Sequence, residues 1–283
     1  MKISVALGFF DSVHIGHRQL LKANAEHAAH NGMTAAVHTF CNDLGEFFGS
    51  KQLYGFDERK ELLTKNGAEM IIADDFDRKF MTKRGIEFLD ELTSKCDIGA
   101  FFCGYDYSFG VNAECNANDL AQYASKKDIR CEILPPFTVD GKKVSTTWIK
   151  ESLLAGDLDR ANSLLGEPFF VRGKVVKGRG VGRAFGYPTA NVSYGGFLPK
   201  QGVYKTLVSF DGKQYVAVTN VGTKPTFDES SVTIEPMLID FSGDLYGKEL
   251  TVRFIKYLRP IIKFADGNEL NKQIQKDVRE ALC

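Results

Sequence analysis

Residues 3–21 read ISVALGFFDSVHIGHRQLL, and this stretch decides the fold of the first half of the chain. Its apolar run at 3–8 has the length and composition of a buried strand, and a helical pattern starts at about residue 15. The alternation continues, with further strands predicted at 33–40, 69–73, 98–103 and 130–135 and further helices at 57–66, 84–95 and 117–127. This order predicts an α/β fold with a doubly wound parallel sheet, whose ligands bind at the carboxyl ends of the strands.

The pattern changes in the second half of the chain. Residues from about 145 to 166 form two helical stretches, each followed by a glycine. Beyond 167, strand-like runs separated by Gly, Asp and Pro predict a compact β-barrel, and an amphipathic helix at about 266–281 follows it. These runs lie at 169–176, 202–210, 214–221, 231–239 and 249–257. We therefore expect two domains, residues 1–165 and 166–283.

Composition excludes several classes of protein. The 283 residues are 43% hydrophobic and 25% charged, which is typical of a soluble globular chain of about two domains. No apolar run approaches the ~18 residues of a membrane span, and the start of the chain resembles a first strand more than a signal peptide. A net charge of zero, without a basic stripe, gives no support to nucleic-acid binding. Six cysteines without CxxC spacing indicate reduced thiols in a cytoplasmic protein.

The loop after the first predicted strand carries a candidate phosphate site. His14 and His17 fall at the amino end of the first predicted helix, where amide groups and the helix dipole favour phosphate. Gly16 between them lets a ligand approach the backbone without meeting a Cβ. The sequence therefore predicts a nucleotide-binding loop at 8–17.

A second candidate site lies in the glycine-rich segment 177–191. Glycine-rich turns with interspersed cations can wrap phosphates, although a hairpin turn explains a lone GxG equally well. The hydroxyl of Thr189 and the side-chain carbonyl of Asn191 are hard ligands suited to Mg²⁺, and Pro188 fixes the local backbone. The candidate phosphate-binding residues are Gly178, Gly180, Gly182, Arg183, Pro188, Thr189 and Asn191. All five histidines lie in the first 38 residues, so proton transfer in the second half needs a carboxylate base.

Together these motifs carry a family resemblance that spans essentially the whole chain. His14-Ile15-Gly16-His17 resembles the HxGH signature of the nucleotidyltransferase superfamily, and Pro188-Thr189-Ala190-Asn191 resembles the PTAN signature of riboflavin kinases. The order of motifs resembles the bifunctional prokaryotic FAD synthetase family, which joins an FMN adenylyltransferase module to a riboflavin kinase module. Further matches are Asn220–Phe227, Glu235, Asp244–Lys248 and Leu258–Arg259.

The resemblance implies a nucleotidyltransferase-like parallel sheet followed by a barrel of the riboflavin kinase type with a closing helix. In the first module it implies that His14 and His17 face the ATP phosphates. In that module Gly8, Phe10 and Asp11 would line the nucleotide site. In the second module the γ-phosphoryl group of ATP would pass to the 5′-hydroxyl of riboflavin.

The resemblance also assigns roles within the kinase module. Glu235 would accept the hydroxyl proton, and Thr189 with Asn191 would hold Mg²⁺ and the phosphates. Arg259 and the helix at 266–281 would cover the isoalloxazine ring, although an exposed surface cation is the alternative for Arg259.

The first module departs from the family pattern at several positions. Ser12 stands where the family has Gly, Ser108 and Val111 fall in a segment that lacks both expected cations, and Trp148 replaces an Arg. Lys150 keeps a positive charge at the last position of that third motif. Adenylyl transfer depends on cations that stabilise phosphate charge, so their loss slows it. These departures predict a weak or inactive adenylyltransferase.

The sequence as a whole therefore predicts a riboflavin kinase that uses ATP, riboflavin and Mg²⁺. A fully bifunctional enzyme that makes FMN and then FAD is the alternative. A flavin-binding regulator is a third possibility, and Glu235 with an intact PTAN segment argues against it. Small molecules are the expected partners, without nucleic acid or membrane, and the oligomeric state stays open.

Overall fold

The computed structural model describes residues 1–177, 188–223 and 232–283. These residues form two compact units, Met1–Thr146 and Thr147–Cys283. These units are defined by the contacts within each of them. The expected division at 165/166 concerns function, so it remains a prediction.

The first unit is built on a five-stranded parallel sheet, which confirms the expected α/β architecture. The strand order is β3-β2-β1-β4-β7. Strands β2 and β3 lie on one side of β1 and strands β4 and β7 on the other, so the order reverses at β1. The sheet strands are β1 Ile3–Leu7, β2 Thr34–Phe40, β3 Met70–Asp74, β4 Ile98–Gly104 and β7 Arg130–Leu134. In doubly wound sheets this reversal opens a crevice at the carboxyl ends of the strands.

The helices of the first unit alternate with these strands. They are α1 Ile15–His30, α2 Gly45–Phe48, α3 Phe56–Lys65, α4 Arg78–Met81, α5 Gly85–Lys95 and α6 Ala117–Lys126, with a 3₁₀ turn at Val111–Ala113. Two short hairpins that the sequence did not predict are β5 Ser108–Phe109 with β6 Cys115–Asn116, and β8 Thr138–Val139 with β9 Lys142–Lys143. The second hairpin turns at Asp140-Gly141, where both residues have positive φ, as a two-residue hairpin turn favours.

The core of the first unit lies between the sheet and its helices. Val5 and Phe101 of the sheet and Leu120 of α6 are fully buried there. A parallel sheet that helices cover on both faces has apolar side chains on both faces. Polar groups in this core are paired: Ser4 Oγ donates to Asn24 Oδ1 (2.7 Å), and Asn24 Nδ2 donates to the carbonyl of Ala36 (3.0 Å).

The second unit begins with two helices, α7 Thr146–Ala155 and α8 Leu158–Leu165. α8 ends at Gly166, whose φ of 79° is the left-handed conformation that glycine adopts without strain. Asn162 of α8 joins the helix to the barrel, since its side chain donates to the carbonyl of Phe254 (3.0 Å) and accepts from the amide of Phe169 (2.8 Å).

A closed six-stranded barrel forms the rest of the unit, with strand order β10-β11-β14-β13-β12-β15, and this confirms the predicted barrel. Its strands are β10 Phe170–Val176, β11 Asn191–Ser193, β12 Gly202–Phe210, β13 Lys213–Thr223, β14 Val232–Leu238 and β15 Glu249–Arg259. The last helix, α9 Gly267–Leu282, packs Ile274 and Val278 against Val218 and Met237. Among the described residues, no helix has the length and apolar character needed to cross a membrane.

Candidate functional site

The loop between β1 and α1 brings the predicted nucleotide-binding residues together at the carboxyl edge of the sheet. His14 caps α1, because its Nδ1 accepts from the backbone N–H of His17 at 3.1 Å. The two imidazole rings stack with centroids 3.6 Å apart and planes inclined by 11°. The ring of Phe10 packs edge-on against His17 at 5.2 Å. Phe10 and Val13 have φ values of 56° and 44°, so the loop holds a strained backbone in place.

The stacked histidines are uncharged at neutral pH. Burial lowers the pKa of His14 to about 4. The pKa of His17 lies well below its ordinary value because its ring is desolvated and faces that of His14. Since Nδ1 of His14 accepts a hydrogen bond, its proton sits on Nε2, which can donate to a phosphate oxygen. Nδ1 of His17 is buried and has no hydrogen-bond partner in the part of the chain that the structure describes.

Other residues of this loop pack tightly around the histidines. Asp11 is buried, and its Oδ1 accepts from the amide of Leu53 at 2.8 Å. A Cβ on Gly16 would lie 3.2 Å from the His14 ring and 3.3 Å from Cβ of Phe137, and a Cβ on Gly8 would lie 3.0 Å from the Phe10 ring. Glycine at these two positions is therefore explained by close packing of the loop itself.

The positions where the sequence departs from the family pattern are dispersed. Ser12 is buried, and its hydroxyl lies 2.9 Å from Oγ1 of Thr146, so the substituted residue is tied to the start of the third motif. Ser108 is exposed on β5. Trp148 and Lys150 follow on α7, within the second unit.

Sequence reasoning missed one cation at this site, Lys143. It ends the β8–β9 hairpin, forms an ion pair with Asp106 and stands over the ring of Tyr105 at 4.9 Å. After burial, the main cause, its charge contributes to the lowered pKa of both His14 and His17, while Asp106 acts in the opposite sense on His14. The signal in the sequence was the Asp140-Gly141 turn, which predicts a hairpin and so brings Lys143 back beside Thr138.

The neutral histidines predict a pH-dependent stability of the first unit. An unfolded histidine binds its proton near pH 6.5, whereas folded His14 does so near pH 4. Between these values the unfolded chain binds more protons, so stability falls as the pH falls, by about 1.4 kcal/mol per pH unit for this group. His17 adds an effect of the same sign.

Hydrogen exchange of peptides from residues 1–146 measures this effect. We expect the free energy of opening, corrected for intrinsic exchange, to drop by about 1.6 kcal/mol from His14 alone between pH 6.5 and 5. The variant His14→Gln should show a shallower pH dependence. Equal pH dependence in the two proteins would contradict the assignment of a neutral His14.

The barrel brings together two residues that the sequence predicted for the second site, Asn191 and Glu235. The amide of Ala190 donates to the carbonyl of Pro236 at 2.9 Å, and Val192 pairs with Ile234, so the PTAN segment runs beside β14. One residue along this antiparallel pair, Asn191 stands next to Glu235. The hydroxyl of Thr233 lies 3.1 Å from Oε1 of Glu235 and 3.2 Å from the carbonyl oxygen of Gly222, and its single proton is shared between these two acceptors.

Glu235 belongs to a row of side chains that crosses five strands of the barrel. Asn220 pairs with Glu235, Val203 pairs with Asn220, and Arg259 pairs with Val203. Glu235 and Arg259 are therefore three strand spacings apart around the closed barrel, about 14 Å along the curved sheet. Met237, two residues from Glu235 on the same strand face, packs in the cluster beneath α9. The carboxylate thus lies beside the surface that α9 covers.

Arg259 is not a solvated surface cation. Its Nε and Nη2 bond the carboxylate of Asp277 on α9, at 2.9 and 2.7 Å, and its Nη1 donates to the carbonyl of Pro260 at 3.1 Å. The side chain of Asp277 is only 3% exposed. This bidentate pair fixes α9 on the barrel, and a direct contact of Arg259 with a flavin stays a prediction.

Part of the predicted phosphate site lies outside the described residues. Gly178, Gly180, Gly182 and Arg183 fall in 178–187, and the segment Lys224–Phe227 falls in 224–231. Within the described ranges, Pro188 is exposed, and Thr189 and Asn191 are half-buried. Their predicted roles in binding phosphate stay predictions.

Comparison with known proteins finds two family matches in this chain. The riboflavin kinase family matches residues 165–282, and the FAD synthetase family matches residues 1–148. Proteins named bifunctional riboflavin kinase/FMN adenylyltransferase are similar over nearly the whole length. That of Bacillus subtilis is 31% identical over 99% of this chain and 92% of its own, and that of Listeria monocytogenes is 30% identical over 98% and 90%.

A solved structure shares the fold. The crystal structure of a protein described as a macrolide-efflux protein from Streptococcus pneumoniae superposes with a TM-score of 0.89. It is 30% identical in sequence and covers 98% of this chain and 93% of its own.

Proposed function

The chain belongs to the family of bifunctional riboflavin kinases/FMN adenylyltransferases, and from this premise we propose that it makes FMN from riboflavin and then FAD from FMN, with ATP as the second substrate of each step. One observation carries the proposal: each compact unit brings polar residues of one predicted site together. The first unit holds the histidine pair with Lys143, and the second holds Asn191 with Glu235.

Glu235 is the base of the kinase step. Its carboxylate accepts the proton of the riboflavin 5′-hydroxyl as the hydroxyl oxygen bonds to the γ-phosphorus and the bond to ADP breaks. The hydroxyl of Thr233, 3.1 Å from Oε1, helps to hold this carboxylate in one orientation. A positioned carboxylate suits this role, because general base catalysis requires a fixed acceptor within hydrogen-bond reach of the substrate.

The donor set beside Glu235 fits magnesium. Thr189 offers a hydroxyl, Asn191 offers an amide oxygen, and both lie on the PTAN segment that runs along β14. Oxygen ligands of this kind are the ones that Mg²⁺ prefers. We assign Mg²⁺ to Thr189 and Asn191, where it would neutralise negative charge on the ATP phosphates.

The relatives support full bifunctionality better than the weak or inactive adenylyltransferase that we expected from Ser108, Val111 and Trp148. The similar proteins from B. subtilis, L. monocytogenes and Escherichia coli are all named bifunctional riboflavin kinase/FMN adenylyltransferase. Lys143, which is paired with Asp106 and acts electrostatically on the histidines, offers this unit a cation that the motifs lack. In the adenylyl step a phosphate oxygen of FMN attacks the α-phosphorus of ATP, and pyrophosphate leaves.

The functional division of the chain is also a proposal. We assign residues 1–165 to the adenylyltransferase and 166–283 to the kinase. The family matches support this, since one ends at residue 148 and the other begins at 165. The helices between the two matches pack with the second compact unit, where Asn162 bonds the barrel, so by packing the boundary lies earlier than the functional one that we assign.

Lys143 gives a direct test of the proposed function. Each charge-assisted hydrogen bond contributes roughly 1.5–3 kcal/mol, so Lys143→Met should slow FAD formation from FMN by about 10- to 100-fold. FMN formation from riboflavin should stay unchanged in the same preparation. The exposed neighbour Lys142 provides the matched control, Lys142→Met, which should leave both rates unchanged. Undiminished FAD formation in Lys143→Met would reject the role of this cation.

A further inference from the structure

Arg59 is the only buried Lys or Arg among the residues that the structure describes, and no motif singles it out. It lies in the first turn of α3, and its side chain is fully buried at the carboxyl ends of β1 and β2. Burying a cation costs several kcal/mol unless it is well paired. Desolvation accordingly lowers the pKa of Arg59 to about 10. Such a residue needs an explanation beyond packing.

The guanidinium bridges the ends of two strands, beyond the last backbone hydrogen bond described between them. Nη1 donates to the carbonyl of Phe9 at 3.0 Å, and Nη2 donates to the carbonyl of Phe40 at 2.7 Å. Phe9 follows β1 and leads into the histidine loop, while Phe40 ends β2. Arg59 therefore continues the link between the strands beyond the last sheet hydrogen bond, from the amide of Gly8 to the carbonyl of His38.

A second group holds the same carbonyl. Oγ1 of Thr39 donates to the carbonyl of Phe9 at 2.8 Å and accepts from Nη1 of Arg59 at 3.1 Å. The Phe9 ring also lies against the guanidinium, 4.5 Å from its central carbon. The residue before the strained Phe10 is thus fixed by two donors and one ring contact.

We propose that Arg59, with Thr39, is a positioning residue for adenylyl transfer: it fixes the Phe9 carbonyl so that the loop presents His14 and His17 to the ATP phosphates. This rests on the proposed adenylyltransferase function. Arg59 acts through the backbone and has no role in the kinase step. Its two-pronged geometry matters, because a guanidinium donates to the carbonyls of Phe9 and Phe40 from two fixed nitrogens, whereas a lysine has a single ammonium nitrogen on a flexible stem.

The test compares Arg59→Lys, Arg59→Met and Thr39→Val in the full chain, with Lys60→Met as the control that removes an exposed charge from the next position of α3. Misplacement of a reacting group by about 1 Å can cost 10²-fold in rate. We expect FAD formation to fall about 10- to 100-fold in both Arg59 variants and about 10-fold in Thr39→Val. FMN formation in the same samples should match that of the unaltered protein, and so should both rates in Lys60→Met.

The variants separate positioning from charge and from folding. Full activity in Arg59→Lys would show that only charge matters and would overturn the proposal. Thr39→Val keeps the cation and the shape of the strand residue, so unchanged FAD formation in that variant overturns the proposal even if the Arg59 variants do not fold.

Binding of a non-hydrolysable ATP analogue is measured alongside. If the unaltered protein makes no FAD, the proposed function fails. The positioning role is then judged on the affinity of Thr39→Val, in which a weaker affinity supports it and an equal affinity overturns it.

Discussion

Replacement of Glu235 by glutamine should lower the rate of FMN formation by about 10²–10⁴-fold, the usual loss when a general base is removed. The amide is nearly isosteric, and its oxygen can still accept the hydrogen bond of Thr233. The barrel should therefore fold unchanged, and only the ability to take the hydroxyl proton is lost. The assay follows FMN from riboflavin, ATP and Mg²⁺ by chromatography.

Two controls accompany this variant. Glu249→Gln, an exposed carboxylate on β15 of the same barrel, should retain full kinase activity. When FMN is supplied, Glu235→Gln should form FAD at the unaltered rate, because the histidine pair lies in the other compact unit. Kinase activity within a few-fold of the unaltered rate would reject Glu235 as the base.

Replacement of both His14 and His17 by asparagine should abolish most FAD formation and spare FMN formation. Each contact to phosphate is worth roughly 1.5–3 kcal/mol, so the loss of two slows the step by about 10²–10⁴-fold. The rings act as neutral donors, since burial holds the pKa of His14 at about 4. Both rings are already neutral near pH 7, so raising the pH through this range should not lower the rate of FAD formation by removing a proton from either of them.

An exposed histidine on the same helix is the control for this double variant. His30→Asn, near the end of α1, should keep both activities. A double variant that forms FAD at the unaltered rate would show that the histidine pair does not bind phosphate.

The sequence predicted both architectures because each has a local signature. The alternation of apolar strands and helices before residue 135 predicted the parallel sheet, and the short runs after 167 predicted the barrel. The HxGH and PTAN segments predicted where polar side chains would gather. Such features are carried by neighbouring residues, so a single stretch of chain reveals them.

The contacts that refine the sites join residues distant in sequence, and periodicity does not reveal these. The charge of Lys143 acts on His14, more than 120 positions earlier, and Arg59 bonds Phe9 across 50 positions. The pairing of Arg259 with Asp277 depends on how α9 docks on the barrel. Counting cations within the motifs alone therefore underestimated the positive charge available at the first site.

The central claim is that one chain performs both steps, and a single time course tests it. Purified protein is mixed with riboflavin, ATP and Mg²⁺, and FMN and FAD are separated and quantified at intervals. We expect FMN to appear first, pass through a maximum and decline as FAD accumulates. FMN that rises to completion with no FAD, also when FMN is the starting substrate, would contradict the claim.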